Sequence, residues 1–149
     1  MPRSPRPSSP AGYSGTPLPK KLGIKEGMAV AVLHGPTDFA ATLGPLPDGV
    51  TLRNGIGSDQ RADMIVAFVT ERSHLQKHFS RLAGRLAVDG ALWVAWPKRT
   101  SKIETDMSDD VIREIVLPTG WVDVKVCAID ERWSGLKVVL RKELRSAGR

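Results

Sequence analysis

Residues 62–98 read ADMIVAFVTERSHLQKHFSRLAGRLAVDGALWVAWPK, and they decide the fold. ADMIVAFV (62–69) and ALWVAW (91–96) are almost unbroken in apolar residues and rich in Val, Ile, Phe or Trp, the composition of strands buried on both faces. Between them, ERSHLQKHFSRLAGRLA (71–87) sets Leu75, Phe79, Leu82 and Leu86 on one helical stripe. Strand, helix and strand at these lengths form a crossover unit, right-handed by default, so a parallel sheet covered by helices is expected.

Toward the N-terminus, MAVAVLH (28–34) repeats the buried-strand pattern and breaks at His34-Gly35-Pro36. VTLRN (50–54) is a weaker strand, expected nearer an edge. In TPLPKKLG (16–23), Thr16-Pro17 gives a helix-start signature, Leu18 and Leu22 fall four apart, and Gly23 ends a short helix. Toward the C-terminus, Ser108 with Asp109 and Asp110 opens a helix whose Val111, Ile112, Ile115 and Val116 face inward, stopped by Pro118 and Gly120. WVDVKVCAI (121–129) and GLKVVLRK (135–142) alternate, and the intervening DERWS allows a hairpin but no helical crossover. The expected fold is α/β and Rossmann-like: a mixed sheet, mostly parallel, with an antiparallel C-terminal hairpin and helices on both faces.

The 149 residues suit one domain over 13–142, with a disordered basic tail at 1–12 and a second basic tail at 143–149. The formal charge of +6 is unevenly spread. Residues 1–21 hold four basic residues and no acid, 132–149 hold six and one, and the middle holds 12 basic against 15 acidic. Charge gathered on the ends rather than the framework fits solubilising termini better than a nucleic-acid face, which would need the tails. Cys127 is the only cysteine, so no intrachain disulfide can form and a cytoplasmic protein is expected. No apolar run approaches the roughly 20 residues of a membrane span, and MPRSPRPSSP leads into no hydrophobic segment, so neither a membrane anchor nor a secretory signal is expected.

RLAVDGALWVAWPK (85–98), with the order strand, helix, strand, strand, helix, strand, helix, hairpin, resembles the later half of class I methyltransferases over roughly residues 24–142. There a helix leads through a similar turn into the fifth strand, and the chain closes with a helix and an antiparallel hairpin. GYSGTPLPKKLGIKEGM (12–28), LWVAWPK (92–98) and VDVKVCAIDERWSGLKVV (122–139) resemble an uncharacterised bacterial family, a domain of unknown function. Together these resemblances imply a truncated, degenerate methyltransferase-like fold and no particular reaction.

Methyltransferases need a glycine-rich turn after the first strand and tend to carry an acid at the end of the second. Here the turn is LHGPTDF (33–39), whose Pro36 has no N–H to offer, and the second strand ends Arg53-Asn54. Accordingly, S-adenosylmethionine lacks two of its usual supports and no cofactor is assigned. G-I-G at 55–57 is an incomplete dinucleotide motif and is taken as a turn.

In open α/β sheets, ligands bind beyond the carboxyl ends of the parallel strands. That rule gathers a candidate ligand cleft from His34, Gly35, Thr70, Glu71, Pro97 and Lys98, with Trp133 and Ser134 at the hairpin tip. Lys98 would hold an anion, Glu71 and His34 would exchange protons, and Trp133 would stack on a planar ring. No pair has a spacing that dictates a reaction, so no catalytic residue is assigned. His74 and His78 have metal-pair spacing but are expected to be solvated on the helix flank, so no metal is assigned. Cys127, between Val126 and Ala128 in an alternating strand, is expected to pack.

The function expected is a non-catalytic methyltransferase-like domain that binds a small ligand or a protein partner. Alternatives are a small-molecule enzyme using the same cleft and nucleic-acid association through the basic termini.

Overall fold

A computed structural model of the chain describes residues 16–57 and 59–147. The tail expected at 1–12 lies outside the described residues. Six strands, β1 (Ala29–Leu33), β2 (Thr51–Asn54), β3 (Ala62–Phe68), β4 (Leu86–Pro97), β5 (Trp121–Ala128) and β6 (Trp133–Leu140), form one sheet in the order β2-β1-β3-β4-β6-β5. β2, β1, β3 and β4 run parallel, whereas β6 is antiparallel to both β4 and β5. The mixed sheet with its closing hairpin is therefore as the sequence implies, and VTLRN supplies the edge strand β2.

Strand alternation divides the apolar residues between two layers. Val30, Met64, Val66, Phe68 and Trp93 face the short helices α1 (Leu18–Leu22) and α2 (Phe39–Leu43). Ala31, Ile65, Leu92, Val94, Leu136 and Val138 face α3 (Arg72–Gly84) and α4 (Asp109–Val116). Trp93 is fully buried, and its indole Nε1–H donates to the Leu22 carbonyl at 2.9 Å, so α1 is tied to the middle of the sheet by a satisfied polar contact. Ser108 caps α4 by accepting the Val111 N–H at 3.2 Å, and Ile112 and Val116 are buried beneath it.

Three boundaries differ from the sequence expectation. α3 ends at Gly84, and Leu86 begins β4 opposite Ala62 instead of completing the helical stripe. The Arg85 carbonyl accepts the Ala62 N–H at 2.9 Å, which commits the chain to the ladder there. Trp133 and Ser134 open β6 rather than forming the hairpin tip, because Asp130 Oδ1 accepts the Arg132 and Trp133 N–H groups and tightens the turn before them. At the C-terminus, α5 (Lys142–Ala147) occupies most of the stretch expected as a basic tail. Leu144 packs over Gly120, and Arg145 Nε donates to the Leu140 carbonyl at 2.9 Å.

β2 and β3 flank β1, so their connection must cross it. The described residues of this link, 55–57 and 59–61, form no helix, and Ile56 lies on the α3-side layer. Parallel strands ordinarily need a connection of a dozen residues or more, usually helical. Among the described residues, no helix lies along one flank of α3, and a groove runs there.

Candidate functional site

The sheet order reverses at β1, between β2 and β3, and both hollows described below open at the carboxyl ends of β1 and β3. β1 ends at Leu33, and His34 follows in the left-handed region at φ 57°. This is a conformation that residues with a Cβ adopt at some energetic cost. Gly35 comes next, where a Cβ would lie 2.7 Å from Val32 Cγ1 and 3.5 Å from Phe68 Cε1. The turn is thus pressed onto the sheet, with Gly35 inside it and the His34 imidazole outside.

The first hollow, about 330 Å³, is lined by His34, Phe68, Thr70, Glu71, His74 and Trp133. Phe68 forms its wall, edge-on to Trp133 at 4.9 Å and to Phe39 at 5.1 Å between ring centroids. The Thr70 carbonyl accepts from Thr105 Oγ1 at 2.6 Å, fixing the chain as it leaves β3. Glu71 is exposed at the start of α3 and makes no side-chain cap.

The second hollow, about 270 Å³, is the groove along α3. Leu33, Ala67, Val69, Leu75 and Leu82 contribute apolar surface. Its polar groups are His34, His74, His78 and Arg81. The His34 and His74 rings are 5.3 Å apart between centroids, and those of His74 and His78 are 4.6 Å apart, nearly edge-on. These are all three histidines of the chain. The His78 imidazole is held below its usual pKa by desolvation, then by His74, Arg81, Lys77 and His34.

The expectation of solvated flank histidines is corrected here: His74 and His78 are half-buried and joined by His34. Helical spacing showed the His74–His78 pair, but only the sheet brings the β1 turn beside it. Among the described residues, no three His, Cys, Asp or Glu side chains are arranged to hold a metal ion.

Of the residues gathered by topology, His34, Thr70, Glu71 and Trp133 come together. Lys98 and Ser134 line neither hollow. The Lys98 N–H donates to the Arg132 carbonyl at 2.8 Å, and Ser134 pairs with Trp96 and Ala128 inside the sheet. Gly35 acts beneath the site, through the space it leaves for Val32 and Phe68. Phe68 and Arg81 were missed: Phe68 was hidden in an apolar run, and Arg81 lacked any motif. Cys127 is half-buried against the α1-side layer, where desolvation pushes its thiol pKa up and disfavours a thiolate nucleophile.

The sheet order, the hairpin and the position of these hollows define a Rossmann-like fold of the methyltransferase type. Solved structures agree. The chain is similar to the Methanococcus jannaschii fibrillarin pre-rRNA processing protein, at 12% identity and a TM-score of 0.56 over 80% of this chain and 69% of that one. It is similar to the ribosomal protein L11 methylase of Lactobacillus delbrueckii subsp. bulgaricus, at 14% identity and 0.55 over 83% and 75%. It also matches DhpI, solved as a complex with SAH, at 11% identity and 0.59 over 83% and 82%. At these identities the likeness is one of fold. No protein-family model matches the chain. No curated protein matches it either. The resemblance to an uncharacterised bacterial family is supported by neither comparison. No described helix is long and apolar enough to cross a membrane.

Proposed function

We propose that this chain is a non-catalytic methyltransferase-like domain that binds a small ligand at the carboxyl ends of β1 and β3. The turn after β1 carries the proposal. In place of several glycines offering backbone donors, it presents a left-handed His34, a Gly35 closed against Val32 and Phe68, and Pro36 without an N–H. Nor does β2 end in an acid; its last residues are Arg53 and Asn54. What the site retains is an aromatic wall of Phe68 and Trp133 beside ionisable His34, Glu71 and His74, a composition suited to recognising a small molecule. Two neighbours are named for RNA processing and for a ribosomal-protein methylase, and one was solved with SAH; for such a cofactor the glycine-rich turn and the acid after the second strand are missing here.

The test is calorimetric titration with S-adenosylmethionine and SAH, alongside a methyl-transfer assay. Neither cofactor is expected to bind below about 1 mM, and no transfer should be seen. A true ligand at 100 times its Kd should stabilise the fold by about 2.7 kcal/mol. Methyl transfer to a defined acceptor, abolished by Glu71→Gln, would sink the non-catalytic reading. That result would favour the second reading, an enzyme, for which His34 and Glu71 lining one hollow is the specific support.

A further inference from the structure

We infer that the groove along α3 takes a small carboxylate with an apolar body, its anionic end seated among His34, His74, His78 and Arg81. The inference rests on the small-ligand proposal above and names the chemistry of that ligand.

Three observations carry it. First, the polar groups converge. His74, His78 and Arg81 are separated by four and three residues on α3, so they share one face, and the β1 turn swings His34 onto the same cluster. Second, the cluster is uncompensated. Arg81 has no ion-pair partner among the described residues, the groove is lined by no carboxylate, and Glu71 lies in the adjoining hollow. Third, the remainder of the groove is apolar, with Leu33, Ala67 and Leu82 among its lining, and about 270 Å³ admits a small molecule only.

The sign of the local charge separates an anion from a metal ion. Desolvation first, and then His74, Arg81, Lys77 and His34, disfavour a proton on His78, and a divalent cation would meet the same cationic neighbours. A carboxylate opposes the charge part of that effect, accepting charge-assisted hydrogen bonds from Arg81 and from a protonated His78. Binding therefore brings a proton with it. A bare inorganic anion would use the cluster but leave the apolar surface wet, which selects an apolar body.

The experiment follows the imidazole nitrogens and the Trp133 indole N–H by NMR in the untagged full chain. The probes are phenylacetate, its uncharged amide, inorganic phosphate and Zn²⁺. Phenylacetate should shift all three histidines and raise the His78 pKa, and its affinity should strengthen toward tenfold for each unit of falling pH between the free and bound values. The amide and phosphate should each bind at least about tenfold more weakly. Arg81→Gln and His74→Gln should each weaken phenylacetate about fivefold or more while leaving the thermal midpoint within about 2 °C. Equal affinity for acid and amide, phosphate binding as tight as phenylacetate, or stoichiometric Zn²⁺ broadening of the histidines with no response to phenylacetate would each overturn the inference. A neutral molecule that moves the Trp133 resonance and leaves the imidazoles unmoved would overturn it too, while the cleft proposal stands. Silence of both Trp133 and the imidazoles toward every probe and toward a metabolite extract would end both.

Discussion

Two arginines, one on each long helix, meet opposite surroundings. Arg113 on α4 bonds Asp109, Asp110 and Asp123 at 2.9, 3.1 and 2.9 Å, and this neighbourhood raises its pKa further. Arg81 on α3 faces imidazoles, with Lys77 near by and no carboxylate partner among the described residues. In the first corner the charge is balanced from within, and the result joins α4 to β5. In the second the balance is left open, at the end of the sheet where this fold places its ligands. Charge that the chain itself neutralises marks scaffolding; charge left without a counterpart marks a place to look for a visitor.

The comparison is sharpened first by the apolar residues beneath each corner. Leu75→Ala under α3 and Ile112→Ala under α4 should each cost about 2–5 kcal/mol in urea unfolding, since both side chains are essentially inaccessible. A loss below about 1 kcal/mol at Leu75 would mean that the groove collapses readily and is not a standing cavity. Ser108→Ala should cost about 1 kcal/mol by removing the α4 cap, and Ser108→Asp should restore most of it. Arg113→Met should cost up to about 1 kcal/mol, fading in molar salt, because its partners are largely exposed. Arg81→Met should stay within about 0.5 kcal/mol, since it breaks no pair.

Acidification should separate the corners by pH window. Both His78 and Asp123 have folded pKa values below their unfolded ones, so the unfolded chain binds more protons and stability falls with falling pH in each case. For His78, whose lowering comes from desolvation and then like charge, the contribution is complete above about 6.5 and is lost as pH falls through the lowered value. For Asp123, whose lowering comes chiefly from the Arg113 hydrogen bond, it is complete above about 3.8 and disappears in stronger acid. Thermal midpoints against pH should therefore show a shallower first decline in His78→Gln and a shallower second one in Asp123→Asn. The smallest effect is expected for His34→Gly. Relief of the left-handed strain roughly offsets the added backbone freedom of the unfolded chain, leaving stability within about 0.5 kcal/mol while one imidazole is removed.

Much of the framework was legible because apolar runs and helical stripes are local. ADMIVAFV, ALWVAW and the Ser108-Asp109-Asp110 start announce β3, β4 and α4 from their own residues. The ends of those elements were less legible. Leu86 fits the α3 stripe, but the ladder partner Ala62, 24 residues earlier, draws it into β4. The candidate site was half legible: the rule of strand ends found His34, Thr70, Glu71 and Trp133. It could not see that a spaced pair on a helix flank would meet a histidine from another strand, nor that Lys98 would leave the cleft. Those outcomes depend on packing between distant segments, which no local pattern encodes.

The short crossing from β2 to β3 has a consequence in time as well as in shape. Among the described residues, β2 is four residues long and pairs only with β1, and Ile56 of the connection that follows lies on the α3-side layer. The β3–β4–β6 centre, by contrast, is buried and paired on both sides. The amides of β2 should therefore exchange with solvent through openings far smaller than global unfolding, and those of β3 only when the whole sheet gives way. The edge of the molecule breathes beside a strand that ends at Leu33, and a ligand that stiffens the His34 turn after it should slow exchange in the neighbouring strand, at Leu52 and Arg53.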